Sequence, residues 1–175
     1  PVWIKNAGYK TAFMGKYMNG YGGLTIPPGW DRWWGLMQGE LGFYNYRVND
    51  NGQDKSYGST SSEYLTDVLG DKVVEFINGE KSSTQPFFLW ITPYAPHNDQ
   101  NMNGFTIPAP RHAGTYASLP LPKPPSFNEA DVADKPSYLR DTLNPLMNST
   151  TISNIEKNYR LRFESLLATD EMIAD

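Results

Sequence analysis

The sequence predicts an α/β fold, a mixed and mostly parallel sheet between helices, and three observations carry that reading. The continuous apolar run Phe87-Phe88-Leu89-Trp90-Ile91 lies between Pro86 and Pro93, as in a strand covered on both faces. A shorter apolar core, Thr11 to Met14, lies between Gly8 and Gly15 and reads as a buried strand ending at a glycine turn. Between them Leu65, Val68, Leu69, Val73, Phe76 and Ile77 recur at helical spacing. Strand, helix, strand in this order is the pattern of a parallel pair joined by a right-handed crossover.

The remaining elements follow along the chain. Asn49-Asp50-Asn51-Gly52 is a hairpin turn, placing short strands at about 43–48 and 55–57. Ser61 or Ser62 can cap the helix, and Asn78-Gly79 should stop it. Residues 94–136 form a Pro-rich loop too long for a passive connection, which suggests a binding or lid function. From about 153 to 174, Ile155, Tyr159, Phe163, Leu166, Leu167 and Ile173 mark one face of an amphipathic helix expected to pack on the sheet.

Composition narrows the function. The 175 residues carry 15 Lys+Arg against 19 Asp+Glu, a net charge of −4. With no basic run, a nucleic-acid or anionic-membrane partner is disfavoured. Aromatics at 14% and charged residues at 19% describe folded protein rather than a disordered tail. No apolar stretch approaches the roughly 18 residues of a membrane span. The absence of cysteine removes disulfides, thiol catalysis and Cys-ligated metals. Pro1 in place of an initiator Met, and a helical pattern still running at Asp175, lead us to expect a chain cut at both ends.

Parallel strands would bring Lys16 and His97 to one carboxyl edge of the sheet, where open α/β sheets bind ligands. Lys16 could hold an anion and His97 could donate a proton; equally, the two could be a surface lysine and a loop histidine capping a carbonyl. Arg111 and His112 could contact an anion or a carboxylate, or could pin the loop to an acid. Asp99, Asp131 and Asp134 are candidate acids, but none forms a metal-ligand spacing with a histidine, so no complete metal site is expected in this segment. Trp30, Trp33 and Trp34 could stack a sugar ring or lie buried. Asn148-Ser149-Thr150 is a glycosylation sequon that leans towards secretion.

Several segments resemble the type I sulfatases. Gly8-Tyr9-Lys10-Thr11-Ala12-Phe13-Met14-Gly15-Lys16-Tyr17 is similar to that family's glycine-tyrosine-x-threonine segment ending in glycine-lysine. Pro27-Pro28-Gly29-Trp30, Pro86-Phe87-Phe88-Leu89, Tyr94-Ala95-Pro96-His97, Pro108-Ala109-Pro110-Arg111-His112 and Pro125-Ser126-Phe127-Asn128-Glu129 continue the likeness, and 159–172 closes it. The resemblance is nearest to the N-acetylglucosamine-6-sulfatase and related arylsulfatase branch.

The resemblance implies an alkaline-phosphatase-like α/β fold and hydrolysis of a sulfated sugar or aryl sulfate, in a secreted or lysosomal setting. It implies a formylglycine nucleophile and a bound cation, usually calcium, with Lys16 contacting sulfate and His97 near the leaving-group oxygen. Met18 stands where many of these enzymes have a second histidine, and Asn19 fits the branch as a contact to substrate or sulfate. The family's aspartates, modified cysteine and later metal ligands have no counterpart in 1–175. The chain is therefore expected to be an internal segment of a catalytic domain, partnered by that domain's remaining segments and inactive alone. A non-catalytic carbohydrate-binding pseudoenzyme and a phosphodiesterase or phosphonate hydrolase of the same superfamily are the alternatives.

Overall fold

The computed structural model describes residues 1–39, 41–100, 104–142 and 146–175. In chain order the elements are α1 (Val2–Asn6), β1 (Lys10–Gly15), β2 (Arg32–Leu36), β3 (Arg47–Asp50), β4 (Gln53–Ser56), α2 (Leu65–Glu80), β5 (Phe87–Thr92), α3 (Ser137–Arg140) and α4 (Ser149–Ala174). Short 3-10 turns occupy Ser61–Glu63 and Pro110–His112.

The five strands form one sheet in the order β4-β3-β2-β1-β5. β1 pairs in parallel with both β2 and β5, whereas β2, β3 and β4 run antiparallel. The mixed α/β sheet is thus as expected, with α2 lying in sequence between β4 and β5. β1 is central, and its residues from Thr11 to Gly15 are buried. Alternation along the strands sends their side chains to opposite faces. Ala12, Met14, Trp34 and Leu36 join Val68, Leu69 and Val73 of α2 in one core. Phe13, Trp30 and Trp33 form a second core on the other face, with Phe88, Tyr17 and Tyr21 packed around it.

Two motif residues far apart in sequence hold β1 to the start of β2. The Thr11 hydroxyl donates to the Gly29 carbonyl at 2.6 Å, and the Thr11 amide donates to Asp31 Oδ2 at 3.0 Å. Lys5 completes the clamp, its ammonium 2.5 Å from Asp31 Oδ1. The lysine, followed by the Thr11 amide and hydroxyl, holds the Asp31 carboxyl below the usual aspartate range.

Four expectations need correction. β5 pairs with β1 alone among the described strands, so it is an edge, with Phe87 and Trp90 40% and 47% exposed, rather than a strand covered on both faces. The first hairpin strand starts at Arg47, because the Phe43 amide is taken by Asp99 Oδ2 at 2.8 Å. The turn itself is Asn51-Gly52, both at positive φ. α2 is preceded by a capping box between Thr60 and Glu63, not by a Ser61 or Ser62 cap, and it continues through Gly79 to Glu80.

The last helix differs most. It begins at Ser149, with Asn148 Oδ1 accepting from the Thr151 amide at 2.9 Å. It buries Glu164, Ser165, Ala168 and Met172 and packs on α2, while Ile173 is 74% exposed. The notch at Gly70 explains the choice of face: a Cβ there would stand 3.1 Å from Met172 Cγ. Part of the expected apolar face meets the long loop instead, through Tyr116 against Phe163 at 5.9 Å between ring centres. Residues 101–103 of that loop lie outside the described residues.

Candidate functional site

The in-register pairing of Gly15 with Thr92 sets the carboxyl ends of β1 and β5 side by side. Lys16 leaves the first strand and His97 follows the second, so both belong to one sheet edge. Gly15 makes the approach possible: at φ +120°, a Cβ on it would lie 2.1 Å from the Thr92 carbonyl oxygen. The next amide, that of Lys16, donates to that same oxygen at 2.9 Å.

Lys16 is half-buried and its Nζ donates to Asn19 Oδ1 at 2.8 Å. No carboxylate among the described residues pairs with it. An ammonium held by a neutral amide keeps its positive charge uncompensated and has donors to spare. The loop bearing the pair is fixed from below. Tyr17 packs edge-on against Phe13 and Trp33, at 5.4 and 5.1 Å between ring centres. The Tyr21 hydroxyl accepts from Trp33 Nε1 and Asn49 Nδ2, each at 2.8 Å, and donates to the Thr25 carbonyl at 3.0 Å. Burial pushes that hydroxyl's pKa up, which keeps it a donor. Gln38 closes the loop: its side-chain oxygen accepts from the Gly20 amide and its own amide donates to the Tyr21 carbonyl at 2.6 Å.

His97 is exposed, and its Nδ1 lies 2.8 Å from the Asn98 carbonyl oxygen. Its Nε2 has no hydrogen-bond partner among the described residues. The edge therefore presents an ammonium, an amide and an imidazole, a set that suits an anion; among the described residues it offers no carboxylate for calcium. Among the described residues no group of three or more His, Cys, Asp or Glu could hold a metal ion. The described residues do not fit the cation implied by the family resemblance.

Other candidates lie elsewhere. Arg111 is bidentate to Asp67 at 2.7 and 2.8 Å and donates to Glu171 Oε2 through Nε and Nη2. The two carboxylates raise its pKa further. His112 Nε2 stands 3.0 Å from Glu171 Oε1. Of the two readings of Arg111 and His112, this geometry supports the pin that ties the loop to α2 and α4. Asp99 is buried on the Phe43 amide; Asp131 Oδ1 accepts from the Ala133 amide, and Asp134 pairs with Lys135. Trp33 and Trp34 are fully buried and Trp30 nearly so, leaving no ring face for a sugar. Asn148 is exposed at the N-terminus of α4. The sequence reading overlooked Gln38, Tyr21 and Asn98; adjacency to His97 was the only signal available for Asn98.

An α/β sheet whose carboxyl edge carries Lys16, Asn19 and His97 defines the class, and comparison with known proteins gives the family. The family described as Sulfatase matches residues 1–175. A Caenorhabditis elegans protein named as an extracellular sulfatase Sulf-1 homolog is 35% identical over 98% of this chain and 23% of its own length. The Bos taurus N-acetylglucosamine-6-sulfatase is 32% identical over 95% of this chain and 29% of its own. A solved structure, BT4656 in complex with its substrate D-glucosamine-2-N,6-O-disulfate, superposes with a TM-score of 0.68 at 20% identity. It covers 99% of this chain and 44% of that one, a likeness that speaks for the alkaline-phosphatase-like fold. The chain belongs to the sulfatase family. It spans about a quarter of the length of these curated relatives.

Proposed function

We propose that this chain is an internal segment of the catalytic domain of a sulfate ester hydrolase and builds the sulfate-binding side of its active site. Lys16 and Asn19 hold the sulfate oxygens, the ammonium countering the charge that the departing group and the sulfuryl oxygens share in the transition state. His97, as the imidazolium, gives its Nε2 proton to the alcohol oxygen as the bond from that oxygen to sulfur breaks. Water supplies the remaining hydroxyl, giving alcohol and hydrogen sulfate. The nucleophile and divalent cation, formylglycine and calcium by family resemblance, would be held by other segments of that domain and would supply an oxygen nucleophile and Lewis acidity.

One observation supports this reading above the others: Lys16, without a carboxylate partner among the described residues, is bound to Asn19 on the sheet edge that also carries His97. The substrate class we propose is a sulfated amino sugar, because relatives carry that specificity in their names and the solved neighbour holds such a ligand. A secreted or lysosomal location accords with the extracellular relative and with the exposed sequon at Asn148. The test is turnover of 4-nitrophenyl sulfate against 4-nitrophenyl phosphate by the full-length protein. Preference for sulfate supports the proposal. Preference for phosphate favours a phosphodiesterase-like member, and turnover of neither favours a carbohydrate-binding pseudoenzyme.

A further inference from the structure

A hydrogen-bonded relay runs from α4 to His97. The acceptor of its Nδ1 is a carbonyl, which can only accept, so Nδ1 carries a proton and Nε2 is the nitrogen left for substrate. The same Asn98 carbonyl accepts from the Tyr94 hydroxyl at 2.6 Å. The Tyr94 ring lies against the imidazole, with centres 5.0 Å apart and planes inclined by 31°. Tyr94 is buried, and burial moves its pKa up to about 12, which keeps the hydroxyl protonated.

The Asn98 side chain is anchored in turn. Its Oδ1 accepts from Asn158 Nδ2 at 3.0 Å and from Arg162 Nη2 at 3.1 Å. Asn158 and Arg162 are four residues apart on α4 and so project from one face. Asn158 Oδ1 accepts from the Thr106 amide at 3.0 Å, which fixes the orientation of the amide. The buried Thr106 hydroxyl reaches the Pro96 and His97 carbonyls at 3.2 and 3.1 Å. Lys157 Nζ sits 4.4 Å from the centre of the Phe105 ring. Asn98, next to His97, and Phe105 and Thr106 are thus all held by residues of α4.

We infer that Tyr94, Asn98 and Asn158 are positioning residues that keep a proton on Nδ1 of His97 and aim Nε2 at the leaving-group oxygen, so that the imidazolium gives up its Nε2 proton there and is left as the Nδ1-protonated tautomer. The inference rests on the role of His97 proposed above. None of the three touches the reacting atoms; they act through the imidazole. Asn98→Ala deletes the anchored side chain but keeps the main-chain acceptor, whereas Asn98→Asp retains an acceptor for Asn158 and Arg162.

The experiment uses the full-length protein with 15N-labelled histidine, assigning His97 by its loss in His97→Gln, alongside kinetics with 4-nitrophenyl sulfate. Neutral wild-type His97 should show a protonated Nδ1 and an unprotonated Nε2. Asn98→Ala should give a mixture of tautomers and lower kcat about tenfold to 100-fold with little change in KM, since a misplaced group costs about that much. Asn98→Asp should restore most of kcat. A lower melting temperature for Asn98→Ala, with tautomer and kcat per folded molecule unchanged, would overturn the inference. If the wild type hydrolyses no sulfate ester, the proposed function fails. The tautomers of wild type and Asn98→Ala then still decide the positioning role: a shift between them upholds it and identical spectra overturn it.

Discussion

Lys16 donates to Asn19 at 2.8 Å, and among the described residues no carboxylate neutralises its charge. Three positions apart on one loop, the two side chains form a compact donor set at the end of β1. Asn19→Ala removes the amide that steadies the ammonium. Its expected effect is a rise in KM for 4-nitrophenyl sulfate of about tenfold, the worth of one hydrogen bond to a charged group. Steady-state kinetics on the full-length protein provides the check.

Gly15 governs how closely β1 meets β5. Gly15→Ala forces a Cβ to 2.1 Å from the Thr92 carbonyl oxygen at a φ that side chains disfavour. The strands must part, at a cost of about 3 kcal/mol. Denaturant midpoints should fall accordingly, and activity should fall further because Lys16 loses its placement.

The Lys5–Asp31–Thr11 clamp should show its charge in the pH dependence of stability. Asp31 has a depressed pKa in the folded state, chiefly from Lys5. Its contribution is therefore complete above the ordinary aspartate value of about 4 and is lost as pH falls through the lower folded value. Asp31→Asn should melt below the wild type at pH 7, and the gap should narrow near pH 3. A constant gap in thermal melts would exclude the charged clamp.

Much of this was legible in the sequence because strand identity depends on local apolar runs. Phe13 and Trp90 sit in such runs, and the parallel direction of their strands accords with the helix between them. The site was legible only as far as Lys16 and His97 fall immediately after strands. What escaped were choices made by tertiary packing. Gly70 leaves room for Met172 of α4, and the same helix buries Ser165 and Ala168, small residues that a hydrophobic periodicity does not count. The Asn98–Asn158 contact spans 60 residues of sequence, and no spacing rule reaches that far.

Arg111 offers a direct choice between loop pin and substrate contact. Arg111→Lys cannot bridge Asp67 and Glu171 together. Because the guanidinium is 44% exposed, screening limits the expected loss to about 1 kcal/mol. KM should stay constant while the melting temperature drops. A raised KM at unchanged stability would return Arg111 to the substrate.

Asn148 combines a helix cap with a sequon. Asn148→Asp keeps the acceptor for the Thr151 amide but cannot carry a glycan, whereas Asn148→Ala loses both. The alanine variant alone should be less stable, by about 1 kcal/mol. Both should lack one glycan by intact mass when the protein is secreted from eukaryotic cells. A mass shift in neither variant would mean that the sequon is unused.

The most direct test of the proposed sulfate-binding edge is kcat/KM for 4-nitrophenyl sulfate in the full-length protein and in Lys16→Met, with folding monitored by thermal melting. The expected result is measurable wild-type turnover and a drop of about 100-fold or more in the variant at an unchanged melting temperature. A folded Lys16→Met protein as active as the wild type would contradict it.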